Sequence, residues 1–296
     1  MSTQITTAFV EQYSANVVHL SQQKGSRLRS CVDMESVAGK NAFFEQIGSV
    51  AARKRPTRHA DTPQMDTPHA RRRVSLVDYD WADLIDNEDR VRMLIDPTSP
   101  YSQAAANAMG RAMDTAIIEA ATGTAFTGVD GSTSTAFDTS MTVGVQVGIS
   151  PAADTGLNIG KLRAAKENLD ANESDPDQKR VCIINAKQLS NLLAETEISS
   201  SDYNTVKALV QGQVDTFLGF TFVRTQLIET DTNSDDQVLY FAQSGIKLAI
   251  GTEPVARIAE RPDKNHSFLC ALVLLVWKKF RLATSCVILL NPSLGD

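Results

Sequence analysis

Residues 100–123, PYSQAAANAMGRAMDTAIIEAATG, constrain the fold more than any other stretch, because they read as one long helix. They are rich in Ala, the best helix former, with no Pro after Pro100 and one interior Gly, Gly110. Pro100 suits a first helical turn, and Gly123 suits a C-terminal stop. Ala105, Met109, Ala112, Met113, Ala116, Ile117 and Ala120 recur at helical spacing and predict one apolar stripe. Gln103, Asn107, Arg111, Asp114 and Glu119 fall on the other, polar face. Arg111 and Asp114 are three apart, so they share a face and can pair for a few tenths of a kcal/mol. At about 1.5 Å per residue the helix runs about 35 Å, the width of a small domain. A stripe made mostly of Ala and Met lets another backbone approach closely. The plainest reading is a core helix of a globular protein.

The chain around this helix has 296 residues, enough for two modest domains or one elaborated domain. Hydrophobic residues make up 42% and charged residues 22%, a composition that folds. A net charge of −6 argues against a surface that grips nucleic acid all over. Cys31, Cys182, Cys270 and Cys286 show no metal-ligand spacing and no C-x-x-C, so reduced thiols and cytoplasmic synthesis are expected. MSTQITTAFVEQYSA has no basic region followed by an apolar core and does not read as a signal peptide. The longest apolar run, 268–277, is too short to span a bilayer as a helix and reads as a buried strand, so no membrane partner is expected.

Residues 1–45 read as an arm. Phe9, Tyr13, Val17 and Leu20 can line one side of a short helix, and the SQQKGSRLRS that follows is polar with little to bury on its own. Such a segment is either a loose terminus or ordered against a partner. Residues 53–73 carry Arg53, Lys54, Arg55, Arg58, Arg71, Arg72 and Arg73 against Asp61 and Asp66, a net of +5. Three Pro and three Thr lie among them, so the piece predicts a projecting loop or two-stranded arm. Residues 74–96 reverse the bias. Asp78, Asp80, Asp83, Asp86, Glu88, Asp89 and Asp96 against Arg90 and Arg92 give −5. A basic stretch beside an equally acidic one predicts mutual or subunit-to-subunit pairing. Two alternatives stand beside it: a solvated loop with no partner, and a nucleic-acid arm. Against the second are the lack of interleaved aromatics and the acidic neighbour.

After the helix, residues 123–156 are rich in Gly, Ser and Thr, and MTVGVQVGI, 141–149, alternates like a strand. Gly123, Gly128 and Gly131 lack the spacing of a phosphate cradle. From 157 the texture changes. Residues 157–169 predict an amphipathic helix with Leu162, Ala165 and Leu169 inward, and 181–184 a fully apolar strand. Residues 187–194 and 203–213 predict two further helices, and Gly219 marks a tight turn or bulge between strand residues. Together they make a compact α/β lobe. The tail is β, with strand-like runs at 238–241, 246–250, 255–258, 268–277 and 282–290. The turn at 261–266 predicts a long antiparallel hairpin.

Nothing in the sequence is arranged for chemistry. His19, His59, His69 and His266 form no ligand pair, there is no G-x-S-x-G elbow, and Asp175 and Asp177 lie in a polar turn. No catalytic residue, metal or cofactor is expected. The distinctive features are an arm, a charged projecting loop and a long helix, which are devices for gripping neighbours.

Several stretches, in this order, resemble the major capsid protein of tailed bacteriophages. They are EQYSANVVHLSQQKGSRLR (11–29), IDPTSPYSQAAANAMGRAMDTAIIEAATGTAFTG (95–128), CIINAKQLSNLL (182–193), VDTFLGFTFVRT (214–225) and ARIAERPDKNHSF (256–268). The resemblance implies an α+β capsid fold. Its parts would be an N-terminal arm (1–45), an extended loop (46–90), a peripheral domain (91–156) with the spine helix at about 100–122, and an axial domain (157–253). A peripheral β-hairpin (254–281) and a C-terminal strand (282–296) would complete it. It implies a structural protein, not an enzyme, that assembles with copies of itself as pentamers and hexamers into an icosahedral virion shell around double-stranded DNA, without sequence-specific binding. Scaffolding, portal and decoration proteins are possible further partners. Arg53, Arg55, Arg58, Arg71, Arg72, Arg73, Asp78, Asp80, Asp83 and Asp86 would meet neighbouring subunits. Met109, Arg111, Ala112, Asp114 and Ile117 would belong to the spine helix. Some relatives weld subunits with Lys–Asn bonds; here Lys54 is the loop's only Lys, so no such bond is expected. An encapsulin-like compartment with the same fold, and a soluble α/β enzyme or binding protein, are the alternatives.

Overall fold

The computed structural model describes residues 22–55, 57–58, 61–62, 64–85, 98–147, 154–194, 216–228, 230, 235–264, 267–278, 280–281 and 285–290. Strands β1 (Asp33–Ser36), β2 (Asn41–Ile47) and β3 (His69–Ile85) precede helix α1 (Thr98–Thr122). Short strands β4 (Ala125–Thr127), β5 (Thr133–Thr135) and β6 (Thr142–Val143) follow, then α2 (Ile159–Ala171), β7 (Arg180–Ile184) and α3 (Ala186–Ala194). The rest is β: β8 (Thr216–Phe217), β9 (Phe220–Arg224), β10 (Asp236–Ala242), β11 (Ile246–Arg261), β12 (Ser267–Lys278), β13 (Phe280–Arg281) and β14 (Ser285–Leu290). One sheet has eight strands in the order β1-β11-β12-β3-β4-β5, with β2 on β3 and β13 on β11. The other has six, in the order β6-β14-β10-β7-β9-β8. The chain divides into two compact units, 1–26 with 78–111 and 253–274, and 27–77 with 112–252 and 275–296.

The six-stranded sheet lies in the second unit. β7 sits at its centre, antiparallel to β10 and parallel to β9, with Cys182 opposite Tyr240 on one side and Phe222 on the other. All five residues of β7 are buried, so both sheet faces are covered, as a continuous apolar run requires. On one face, Leu162, Ala165 and Leu169 of α2 and Leu189 and Leu192 of α3 pack on Cys182, Ile184, Phe220, Val238 and Tyr240. Phe220 meets Tyr240 edge to face with ring centres 6.3 Å apart. The polar groups here find partners. The Tyr240 hydroxyl accepts from Asn168 Nδ2 at 3.1 Å and donates to the Met141 carbonyl at 3.1 Å. Asn158 caps α2 by accepting from the Lys161 amide at 2.8 Å. Lys161 Nζ, itself buried, donates to the carbonyls of Thr155 (2.5 Å) and Gly156 (3.1 Å). Gln188 accepts from the Leu157 amide at 3.0 Å and donates to Asp236 at 3.0 Å.

The long helix is as expected in extent and differs in its buried face. Ala105, Met109, Met113, Ala116, Ile117 and Ala120 are buried, but Ala112 is only half-buried, and Ile118 and Ala121 are buried as well. Asn107 and Asp114, placed by periodicity on the polar face, are buried too. The reason is the segment 22–32, which lies against the helix instead of hanging loose or needing a partner. In the first unit Asn107 Oδ1 accepts from the Gly25 amide at 3.1 Å, and Arg111 donates to Gln22 and to the Gln23 carbonyl. A Cβ on Gly110 would sit 2.3 Å from the Gly25 carbonyl carbon, so only glycine permits this approach. In the second unit the Asp114 carboxylate accepts from the amides of Arg27 (3.0 Å) and Leu28 (3.1 Å), and Leu28, Cys31 and Val32 are buried.

Other expectations hold or change for local reasons. Leu218 and Gly219 both adopt positive φ, +52° and +87°, and form the two-residue turn between β8 and β9. The runs 246–250 and 255–258 are one strand, β11, and its neighbour β12 follows after a turn that begins with a short 3-10 segment, Pro262–Lys264. The expected strand at 141–149 shrinks to β6 and a turn at 145–147, because β14 gives it register for only two residues. The helices expected around Phe9 to Leu20 and at 203–213 lie outside the described residues.

Candidate functional site

The sequence NAFFEQI alternates so that β2 buries Ala42 and Phe44 and exposes Phe43, Glu45 and Ile47. β3 pairs with it antiparallel from Asn41 opposite Ser75 to Ile47 opposite His69. The result is a two-stranded arm, but of the basic stretch 53–73 only 69–73 lies in it. Its other strand, 41–47, starts within the segment expected as the N-terminal arm, and residues 48–68 join the two because the alternating apolar residues that pair lie on either side of them. Its inner face packs Ala42, Phe44 and Val74 on Ala249 of β11. Lys247 lies over the Phe44 ring at 5.8 Å and pairs with Glu35 at 3.5 Å.

The pleat sorts the three consecutive arginines onto two faces. Arg72 pairs in register with the inward Phe44, while Arg71 and Arg73 face outward opposite Glu45 and Phe43. β4 adds a third strand and places Phe126 opposite Arg73 on its other side. Arg71 binds the Glu45 carboxylate and lies over the Phe43 ring at 5.6 Å. That hydrogen bond and its charge hold Glu45 below the usual carboxylate range. Arg73 lies over the Phe126 ring at 5.2 Å, and its Nε is buried without a hydrogen-bond partner among the described residues. The outer face is therefore aromatic and aliphatic as well as basic: Phe43 is 43%, Ile47 68%, Phe126 43% and Val129 78% exposed. Sequence reading missed this, because the aromatics interleaved with the arginines come from neighbouring strands and not from the basic stretch.

The remaining expected contact residues scatter. Arg53, Arg55 and Arg58 are exposed in the 48–68 connection, where Arg55 donates to the Arg58 carbonyl. Asp78 and Asp80 are exposed and Asp83 is half-buried on β3, the strand that also carries Arg71, Arg72 and Arg73. Asp86 lies outside the described residues. On α1, Met109, Ile117 and Asp114 are buried and Arg111 and Ala112 half-buried. Among the described residues no three His, Cys, Asp or Glu side chains gather as a metal site, and no helix is long and apolar enough to cross a membrane. Cys31 and Cys182 are free and buried, and burial raises the Cys182 thiol above its ordinary range.

This architecture is the capsid fold of tailed phages. The capsid protein of cyanophage Pam1 superposes with a TM-score of 0.73 at 14% identity, over 98% of each chain. The head protein of Helicobacter pylori bacteriophage KHP40 gives 0.73 at 10% identity over 98% of each chain, and the capsid of Ralstonia phage GP4 gives 0.73 at 13% over 97% of each. No curated protein sequence matches the chain. The family model described as phage capsid protein matches residues 5–274, and the chain belongs to that family. It is a structural capsid protein, a component of the bacteriophage virion, in a family that is not a class of enzymes.

Proposed function

We propose that this chain is the repeating subunit of a phage head, assembling as pentamers and hexamers into an icosahedral shell that encloses double-stranded DNA. The observation that carries the reading is the family match from residue 5 to residue 274, with solved phage capsids covered almost end to end. A closed shell requires each subunit to offer different, complementary surfaces to its neighbours. The hairpin supports this, since one of its faces is packed and the other is apolar and open. A subunit of net charge −6 holds DNA without gripping it and without reading its sequence. In this reading 1–45 is the arm, 46–90 the extended loop, and 91–156 with 254–281 the peripheral domain. The axial domain is 157–253, and 282–296 is the C-terminal strand. Synthesis is in the host cytoplasm, and scaffolding, portal and decoration proteins are the further partners.

The test is electron microscopy of the purified protein with an assay for nuclease-protected nucleic acid. Icosahedral particles that carry DNA are expected from infected or induced cells. Particles filled with a protein cargo and no DNA would point to an encapsulin-like compartment, and a stable monomer under every condition would end the shell reading.

A further inference from the structure

Several cations are compensated within the chain: Arg71, Arg180, Lys247 and Arg261 pair with Glu45, Asp170, Glu35 and Asp263. The segment 27–32 is held differently. Leu28, Cys31 and Val32 are buried, which leaves Arg27 and Ser30 exposed and Arg29 half-buried. The bonds that fix its cations go to neutral acceptors. Arg27 Nη1 donates to the Arg224 carbonyl at the end of β9 at 2.6 Å, and Arg29 Nε donates to Met34 Sδ at 3.3 Å. Lys179, exposed just before β7, donates to Cys31 Sγ at 3.9 Å. Among the described residues neither Arg27 nor Lys179 has a carboxylate within ion-pair distance. The carboxylate that touches the segment, Asp114, is fully buried and accepts from the amides of Arg27 and Leu28.

The fold therefore lays a short run of positive charge along segment 27–31, with Arg27 at one end and Lys179 at the other. Such a run suits a linear polyanion better than a protein surface. Protein interfaces centre on aromatic or aliphatic anchors, and here the apolar side chains of the segment are turned into the core. A phosphate backbone needs only cations at intervals, and contacts of that kind carry no sequence information. Few contacts also keep the hold weak and sensitive to salt, in keeping with a chain of net charge −6.

We infer that Arg27, Arg29 and Lys179 form a phosphate-contact stripe for double-stranded DNA. The inference rests on the shell reading and deepens it, because it assigns the part of the subunit that the enclosed DNA touches. It also reconciles an acidic chain with a DNA-filled shell: attraction is confined to one short stripe, and the rest of the surface is left to repel.

The stripe is tested on the full chain, unassembled, by fluorescence anisotropy of a labelled DNA duplex over a range of salt concentrations. Each phosphate neutralised contributes about −0.9 to the slope of log binding constant against log salt. The wild type is expected near about −2.7, and Arg27→Gln with Lys179→Gln near about −0.9. At low salt the pair variant is expected to bind at least about tenfold more weakly. Arg163→Gln with Lys166→Gln makes the same change of charge at exposed positions of α2. That control is expected to keep the wild-type slope and to bind within about threefold of wild type. Thermal melting checks that each variant folds. If the pair variant does not fold, Lys179→Gln alone must reduce the slope by about 0.9.

A pair variant with wild-type affinity and slope overturns the inference, as does a wild-type chain that binds no duplex. Equal loss in the α2 control also overturns it, since net charge alone would then account for binding. A wild-type chain that binds polyglutamate and not the duplex would assign the stripe to an acidic protein segment, with the same consequence. None of these readings requires particles to form, so a chain that never assembles sinks the shell reading separately.

Discussion

In β7 every residue is buried, whereas on β2 burial alternates from one residue to the next. β7 is a continuous apolar run after Arg180, while β2 mixes apolar with polar residues, and the two also differ in what covers them. In the six-stranded sheet, β7 is buried throughout; α2 and α3 cover one face, where Tyr240 and Gln188 also find hydrogen-bond partners. The hairpin has such neighbours on one face only, and its other face displays Phe43, Ile47 and Phe126 beside Arg73. A core finished within one chain sets stability. A face left open keeps apolar groups in water, so a substitution there is expected to change the chain's own stability far less.

The comparison can be broken most sharply at β7. Ile183→Asp places a charge at a fully buried position with nothing to pair it, and is expected to cost at least about 4 kcal/mol. The protein should be insoluble or lack a cooperative melt. A well-folded Ile183→Asp protein would mean that the sheet is less complete than described. A smaller loss is expected from Gly110→Ala, because the new Cβ meets the backbone of Gly25 and Ser26. Displacing segment 22–26 should cost about 1–3 kcal/mol, read as a lower melting midpoint and faster proteolysis near Gly25.

The smallest effect sharpens the account of the finished core. Burial lowers Lys161 from its ordinary 10.5 to about 8, while Asp154 and Asp235 pull it upward. Between about 8 and 10.5 the unfolded chain keeps a proton that the folded chain has released, so this group's contribution to stability rises with pH across that window. Denaturant unfolding at pH values inside and below the window should show the rise, and Lys161→Met should flatten it. A slope unchanged in the variant would assign the pH dependence to other groups.

Much of the fold is legible in the chain. The Ala-rich run with Pro100 and Gly123 near its ends marks α1; the spacing of Leu162, Ala165 and Leu169 marks α2; VCII marks β7, and Gly219 marks the turn before β9. The site was less legible. Three adjacent arginines look like one patch, yet strand pleating divides them.

What the sequence determined by itself is therefore local: which stretches are helix or strand and where several of them stop. These follow from backbone propensity and the period of apolar residues, both of which act over a few positions. Tertiary structure alone decided that Asp114 is buried, because the amides that make a buried carboxylate tolerable belong to Arg27 and Leu28, 87 and 86 residues away. It also decided that Arg71 and Arg73 sit among aromatics, since Phe43 and Phe126 reach them only across the pairing of three strands. Burial and pairing depend on groups distant along the chain, and only the folded backbone brings those groups together.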